Sequence, residues 1–329
     1  METMQKTNAL LEKWIFVIMP AFMLTGFAAG GGLSRWTGWT PFLFAILTFI
    51  SSLNADYRKF AELLRKPLFF AVFLAVAHVA VPWSVWLAGS AAFRGRPDLA
   101  TGIALTALLP LGVTSIFWVA YNKGNVEMNL SLVSLDTLLS PLIVPAALSA
   151  VLGSRVSLNA GALAQSLFQL VLVPTVLGMF AGQYLRRTGR MQGFKPAASV
   201  FSKVCLYAIV LLNAASISGP IRQVGHLVLP LVLFVLCTMA FGYFVHGLVG
   251  LLFTRSLPDR ISVSYSGGVR NYTVGVVLAA SFFRPAAALP ILLAMLFQHP
   301  MALLVHYMFR RLAGKPGAGS EAAYKSASL

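Results

Sequence analysis

Apolar residues in this chain form long runs that are separated by short polar segments. Ten of these runs approach the roughly 20 residues that an α-helix needs to cross the hydrocarbon core of a bilayer. The second run is short and merges into the polar segment Asn54–Lys66. The pattern predicts ten transmembrane helices, at residues 14–33, 40–54, 67–90, 99–121, 126–152, 161–185, 198–218, 226–253, 261–283 and 286–309.

The composition favours an all-α integral membrane protein. Of the 329 residues, 58% are hydrophobic and only 10% are charged. A soluble domain is typically about half apolar and about a quarter charged, so a soluble fold would leave much of this apolar surface in water. The lipid bilayer is therefore the expected partner of the outer surface. The sequence has no phosphate-binding loop and no paired catalytic carboxylates, which predicts that the chain is not an enzyme.

The basic residues are distributed unevenly between the two sides of the predicted bundle. The net charge is +16, but Lys and Arg are spread over the loops between apolar runs, which argues against a nucleic-acid partner. Ten spans place both termini on one side, together with 18 of the 25 basic residues, whereas six lie on the other side. This excess predicts that both termini of a multi-pass cell-membrane protein are cytoplasmic. The Gly/Ala/Ser-rich segment 314–329 is predicted to be a disordered cytoplasmic tail.

Two predicted spans are interrupted at matching positions. The fourth contains Pro110 and Gly112, and the ninth contains Gly267 and Gly268. Each is fourth in a set of five, and an odd number of spans inverts the second set relative to the first. The sequence thus predicts a first five-helix repeat at 1–158 and a second, inverted repeat at 159–313. Broken helices at corresponding positions of inverted repeats indicate a transporter binding site.

Charged residues inside the predicted spans mark the same region. Arg270 lies about ten residues from either end of the ninth span, and Asp136 lies deep in the fifth. Ionisable residues at such depth are expensive and are usually functional. At 100° per residue, Asn129, Val133 and Asp136 share one face of a helix. We expect Asp136 and Arg270 to be partners, since a lone buried carboxylate needs a cation or a proton.

The sequences of the two interruptions resemble those of a known family. The first is Leu109-Pro-Leu-Gly-Val-Thr-Ser-Ile116, followed by Lys123-Gly-Asn125 and Ser140-Pro-Leu142, and the second is Ser266-Gly-Gly-Val-Arg-Asn-Tyr-Thr273. Their order and spacing resemble the bile acid:sodium symporter family over nearly the whole chain. The resemblance implies a panel domain and a core domain, with substrate between them near the crossing of the fourth and ninth helices.

The resemblance also implies positions for sodium ligands, and most of these have changed. The serine of the first interruption is retained as Ser115. The changed positions are Ile116 for an asparagine, Asn129 for a serine, Val133 for a threonine, Ser266 for a glutamate, Arg270 for a glutamine and His78 for a glutamine. Sodium requires several hard oxygen ligands. The changes predict altered or absent sodium coupling, with a fixed cation at Arg270, and leave a proton, exchange or facilitated diffusion open.

These residues divide into two candidate sets, with no metal site and no cofactor expected. The substrate-binding candidates are Thr114, Ser115, Arg270, Asn271, Tyr272 and His299. The ion-coupling candidates are Asp136, Asn129, His78 and Ser266. Cys205 and Cys237 lie away from both interruptions, which argues against the related arsenite-efflux group, whose broken helix contains a cysteine.

The predicted function is secondary transport of a small organic anion by alternating access. Arg270 is expected to hold a carboxylate or sulfonate with two parallel hydrogen bonds. An ordinary sodium-coupled symporter of bile acids or other organic anions is one alternative. A non-transporting membrane sensor or scaffold with the same fold is the other. The sequence leaves the substrate, the direction of transport and the oligomeric state open.

Overall fold

The computed structural model describes residues 2–53, 66–153, 159–216, 218–219 and 225–312. These residues form fourteen helices. The helices are α1 Glu2–Lys13, α2 Ile15–Ala29, α3 Gly31–Ser34, α4 Thr40–Ser52, α5 Pro67–Ala92, α6 Pro97–Leu108, α7 Ser115–Tyr121, α8 Val126–Leu152, α9 Ala160–Arg187, α10 Met191–Ser216, α11 Val228–Phe253, α12 Leu257–Gly268, α13 Tyr272–Phe282 and α14 Ala288–Leu312. The predicted tail 314–329 lies outside the described residues.

Six of these helices are long and apolar enough to cross a membrane. They are α5, α8, α9, α10, α11 and α14, the last two with one short turn in front. Four shorter apolar helices occupy the remaining predicted spans, at Val17–Ala29, Thr37–Ser52, Pro97–Leu108 and Tyr272–Phe282. The prediction of an all-α, multi-pass membrane protein is confirmed.

The N-terminal helix α1 was not predicted. Its residues are too polar to form an apolar run, and it ends at Lys13, just before the first predicted span. It packs on α10, where the side-chain oxygen of Asn8 accepts hydrogen bonds from Ser199 at 2.7 Å and Lys203 at 2.5 Å. Contact with α10, rather than hydrophobic periodicity, therefore fixes this helix.

Most of the helix contacts fall within two groups, and α13 of the second group also contacts α4 and α10 of the first. In the first group, α10 packs on α2 and α4, and α4 packs on α9. In the second group, α11 packs on α12 and α14, α5 packs on α6, and α14 packs on α6 and α13. Helix α7 belongs to the second group because it packs on α12. Helix α8 contacts α7 and α12 of this group and also α9, the helix that follows it along the chain. Both broken helices thus lie in the second group.

Two long helices each contain one π-helical turn. These turns are Val76–Ala80 in α5 and Phe168–Leu172 in α9, and in each case a proline follows two residues later, Pro82 and Pro174. Proline lacks the N–H that would continue the α-helical pattern, so the preceding turn widens. The widened turn in α5 contains Ala77 and His78, which contribute to the site described below.

Close packing of α9 on α4 depends on two glycines four residues apart. A β-carbon at Gly178 would lie 3.0 Å from Ser52 Cβ, and one at Gly182 would lie 2.9 Å from Leu53 Cα. One turn further along α9, the Arg186 guanidinium donates to the Leu53 carbonyl at 2.6 Å. Small residues at this spacing let membrane helices approach closely, so that van der Waals contact holds them together.

We expect Gly182→Ala to destabilise the protein by about 1–3 kcal/mol, because the added methyl group must push α4 and α9 apart. The matched control is Gly193→Ala in α10, where an added β-carbon would meet nothing within 4 Å. That change should be neutral, or stabilising by up to roughly 1 kcal/mol. Unfolding of the purified protein in mixed micelles measures both effects, and equal stabilities would contradict the close approach.

Candidate functional site

The two broken helices cross and pair their interrupted backbones. The first interruption lies between α6 and α7, and the second lies between α12 and α13. The Gly112 amide donates to the Val269 carbonyl at 2.9 Å, and the Asn271 amide donates to the Pro110 carbonyl at 2.8 Å. Leu111 and Arg270 form an antiparallel bridge between these bonds. The two interruptions thus satisfy each other's backbone groups, as membrane depth requires.

Glycine at Gly112 allows this approach. A β-carbon there would lie 2.8 Å from the Arg270 carbonyl oxygen and 2.8 Å from Val269 Cγ1. At the second interruption, β-carbons at Gly267 and Gly268 would run into the rings of His246 and Tyr243 on α11. The glycines that interrupt the sequence pattern are therefore positions of close contact with neighbouring backbone and rings.

Arg270 is buried and donates to two backbone carbonyls. Its side chain is only 4% exposed. One terminal nitrogen, Nη1, donates to the Leu109 carbonyl just beyond α6, and the other, Nη2, donates to the Ala77 carbonyl in the π-helical turn of α5, each at 3.1 Å. A cation at a helix C-terminus is favourable because the unpaired carbonyls there are partially negative. In this conformation both terminal nitrogens are therefore engaged within the protein.

Asp136 pairs with His78 rather than with Arg270, contrary to our expectation. Its Oδ1 lies 2.5 Å from Nε2 of His78, and its Oδ2 accepts the Leu111 amide at 2.7 Å. Both side chains are buried, Asp136 completely. The helix face that Asp136 shares with Asn129 and Val133 indicated the direction of its side chain, but it did not indicate which residue of a neighbouring helix lies opposite. Asp136 and Arg270 nonetheless belong to one cluster, because their partners are adjacent along the backbone.

A second polar cluster joins α8 to both broken helices. The Asn129 amide nitrogen donates to the hydroxyl of Ser266 at 2.7 Å and to that of Ser115 at 2.9 Å. The Ser115 hydroxyl approaches Oδ1 of Asn129 at 3.3 Å. All three side chains are fully buried. The structure thus brings together three residues that the sequence placed in two candidate sets.

The remaining substrate candidates surround the start of α7 and α13. The Thr114 side chain is exposed and accepts a hydrogen bond from Gln298 at 3.2 Å. Asn271 is partly exposed and caps α13 by accepting the Val274 amide at 3.4 Å. His299 Nδ1 accepts from the Trp118 indole at 3.3 Å. Tyr272 is buried, so it faces the protein interior.

Gln298 was missed by the sequence analysis. It is only 7% exposed, and its side-chain oxygen has no hydrogen-bond partner among the described residues. A buried amide oxygen without a partner is costly. Gln298 immediately precedes His299. The one signal in the sequence that could have marked it as a site residue is that it is a polar residue within an apolar span.

Sequence comparison identifies the family to which these features belong. The model of the sodium bile acid symporter family matches residues 40–220, which is more than half of the chain. The chain belongs to this family. It is 33% identical to the uncharacterized protein YbaS of Bacillus subtilis, over 91% of this chain and 98% of YbaS. It is therefore a multi-pass secondary transporter, and not an enzyme.

Two further relatives have names that state a coupling ion. The uncharacterized sodium-dependent transporter YocS of Bacillus subtilis is 22% identical over 94% of this chain and 93% of YocS. The probable sodium/metabolite cotransporter BASS2, chloroplastic, of Oryza sativa subsp. japonica is 26% identical over 72% of this chain and 56% of that protein. Both names describe sodium-dependent transport by those relatives, and the description of the family itself names sodium.

We expect Asp136→Ala to destabilise the protein by about 3–5 kcal/mol, because it leaves the Leu111 amide and His78 buried without their partner. The control is Asp98→Asn at the start of α6, whose distance of 3.9 Å to the 80%-exposed Arg284 defines a surface ion pair. Such pairs contribute about 0–1 kcal/mol. Unfolding measurements on both variants check the difference, and similar losses would contradict the hydrogen bonds assigned to Asp136.

Proposed function

We propose that this transporter moves a small organic anion, a carboxylate or sulfonate, by alternating access, and that it does not use sodium as its relatives' names describe. The observation that carries this proposal is the pair of buried donors at the helix crossing. The Asn129 amide donates to the hydroxyls of Ser115 and Ser266, two positions where the family resemblance implies sodium ligands. The Arg270 guanidinium, at a third such position, donates to the carbonyls of Leu109 and Ala77.

The residues present do not fit sodium. Ile116 and Val133 supply no side-chain oxygen, and Ser266 brings no negative charge. The hydroxyls of Ser115 and Ser266 already accept hydrogen bonds from Asn129, and the carbonyls of Leu109 and Ala77 accept from Arg270. A sodium ion needs several free oxygens and would have to displace these donors. A covalently attached cation thus stands in the place of a mobile one.

The helix terminus and polar groups beside Arg270 support an anionic substrate. Arg270 immediately precedes Asn271 and the N-terminus of α13, whose partial positive charge favours an anion. The exposed hydroxyl of Thr114 and the partly exposed amide of Asn271 add polar groups at the crossing. Because both terminal nitrogens of Arg270 already donate to carbonyls, we do not propose a direct bidentate contact between its guanidinium and the substrate.

Alternating access would be achieved by movement of one helix group against the other. We equate the group of α2, α4, α9 and α10 with the panel domain, and the group containing both broken helices with the core domain. The inverted repeats at 1–158 and 159–313, and cytoplasmic termini in the cell membrane, are part of this proposal. The contacts between helices support the division into groups.

We expect no sodium-specific stabilisation of the purified protein. The measurement is the melting temperature in sodium chloride against choline chloride. A ligand present at 100 times its dissociation constant stabilises the native state by about 2.7 kcal/mol. A clear rise in sodium alone would overturn the sodium-free proposal and restore an ordinary sodium-coupled symporter.

We expect a variant that restores five of the six changed family residues, all except the glutamine at position 78, to gain a sodium response. It combines Ile116→Asn, Asn129→Ser, Val133→Thr, Ser266→Glu and Arg270→Gln, which together return oxygen ligands and a negative charge to the cluster. The control variant has the first four changes and keeps Arg270, whose guanidinium should still block the ion. Melting temperatures in sodium and choline compare the two variants, and equal sodium responses would show that Arg270 does not exclude the ion.

We expect Thr114→Val to weaken the binding of organic anions about fivefold, the loss of roughly one hydrogen bond. The assay is thermal stabilisation by a panel of carboxylates and sulfonates that includes pyruvate and taurocholate. The control is Thr188→Val at the end of α9, whose hydroxyl donates to its own helix at 3.0 Å. Stabilisation by neutral or cationic analogues but by no anion in the panel would overturn the anion assignment.

A further inference from the structure

His78 has one ring nitrogen in a short contact and one without a partner. Nε2 lies 2.5 Å from Asp136, whereas Nδ1 is buried and has no hydrogen-bond partner among the described residues. A proton must lie between Nε2 and the carboxylate, because two acceptors at this distance would repel each other. If Nδ1 were protonated in this state, its N–H would be buried without an acceptor, which is costly. The resting pair therefore contains one shared proton and a bare Nδ1.

The charges of this cluster balance only in that state. The pair of His78 and Asp136 with one shared proton has a charge of −1, and the Arg270 guanidinium has a charge of +1. A second proton, bound at Nδ1, would give the buried cluster a net positive charge. Uncompensated charge is expensive in a buried site. A bound monoanion would remove that cost, so the proton and the anion should favour each other's binding equally.

We propose that the His78–Asp136 pair is the coupling site of this transporter, and that Nδ1 of His78 takes up one proton together with each anionic substrate and releases it on the other side. This inference rests on the sodium-free anion transport proposed above. In this proposal the proton is the coupling ion, whereas the relatives' names give sodium as the coupling ion. One proton and one monoanion together move no net charge across the membrane.

The surroundings of His78 contain few other charged groups. Helix α8 presents Asp136, and the second interruption presents Arg270, which donates to the adjacent carbonyl of Ala77. Helix α11 presents His246, whose Nδ1 bonds to the Gly242 carbonyl at 2.7 Å and whose Nε2 has no partner among the described residues. Helix α6 carries one titratable residue, Asp98, in its first turn beside Arg284. Of these groups, Asp136 is the one whose side chain forms a hydrogen bond with His78 among the described residues.

The pair is connected to both interruptions. Oδ2 of Asp136 holds the Leu111 amide of the first interruption, and the guanidinium of Arg270, in the second, is bound to Ala77 next to His78. Protonation of His78 would therefore change the net charge beside Asp136 and Arg270. These are the two side chains that link the pair to the backbones of the broken helices. This gives the proton a direct physical route to the substrate site at the crossing.

The test observes the proton at His78 directly, without a known substrate. The protein is labelled with ¹⁵N-histidine, placed in lipid nanodiscs with choline chloride, and studied by NMR between pH 8.5 and pH 5. His78→Gln identifies the His78 signals, because a glutamine amide keeps the hydrogen bond to Asp136 but cannot gain a proton. His246→Gln is the matched control, since it removes another buried histidine with an unpartnered nitrogen. We expect Nδ1 of His78 to change from a bare nitrogen to an N–H in the wild type and in His246→Gln.

Uptake into proteoliposomes adds a functional measurement, with [¹⁴C]pyruvate as the probe. We expect a pH gradient, acidic outside, to increase uptake at least about fivefold, and a sodium gradient to have no effect. His78→Gln and Asp136→Asn should lose this stimulation, whereas His246→Gln should keep it. If pyruvate is not transported, the NMR result decides alone.

The two proposals fail in different ways. A His78 nitrogen that stays bare across the pH range, or full stimulation by the pH gradient in His78→Gln, would overturn the proton site and leave sodium-free transport standing. Uptake driven by a sodium gradient would overturn the sodium-free proposal. Protonation of His78 at the same pH in wild type and in Asp136→Asn would show that the pair does not act as one unit.

Discussion

The fold around the site depends on one constraint, the need of interrupted backbone at membrane depth to find hydrogen-bond partners. The two interruptions meet this need reciprocally, through Gly112 with Val269 and Asn271 with Pro110. Two further backbone groups are held by side chains, since Arg270 of the second interruption donates to the Leu109 carbonyl and Asp136 of α8 accepts from the Leu111 amide. The charged residues are therefore part of what allows the helices to be broken, before any role in transport.

This arrangement explains how the ions implied by the family resemblance can be replaced. An ion at a helix break supplies positive charge to oxygens that would otherwise be unpaired. Here an amide and a guanidinium supply N–H groups to such oxygens, and both are covalently attached to the chain. An attached donor satisfies the oxygens but cannot be released on one side of the membrane, so it transfers no energy from an ion gradient. If transport is coupled, the coupling must use another group that exchanges with solvent.

The sequence predicted the general plan of the fold better than it predicted the contacts between side chains and between helices. The apolar runs placed the spans, and Pro110, Gly112 and the glycine pair at 267–268 marked both interruptions, because these residues disturb helical periodicity directly. The partner of Asp136 was predicted wrongly, since His78 is 58 residues away and helix periodicity defines a face but not the neighbour opposite it. Helix α1 was missed because it depends on contact with α10 rather than on its own apolar face.

The location of the polar clusters limits how a change of state can act on them. Their residues lie on α5, α8 and the two broken helices, all outside the group of α2, α4, α9 and α10. Movement of one helix group against the other need not break any hydrogen bond within the clusters. Their geometry can then remain constant while access to the crossing changes from one side to the other. In such a transporter, binding would change the net charge of the site, and that charge would determine which movement is favourable. The ligands of the site would not need to rearrange.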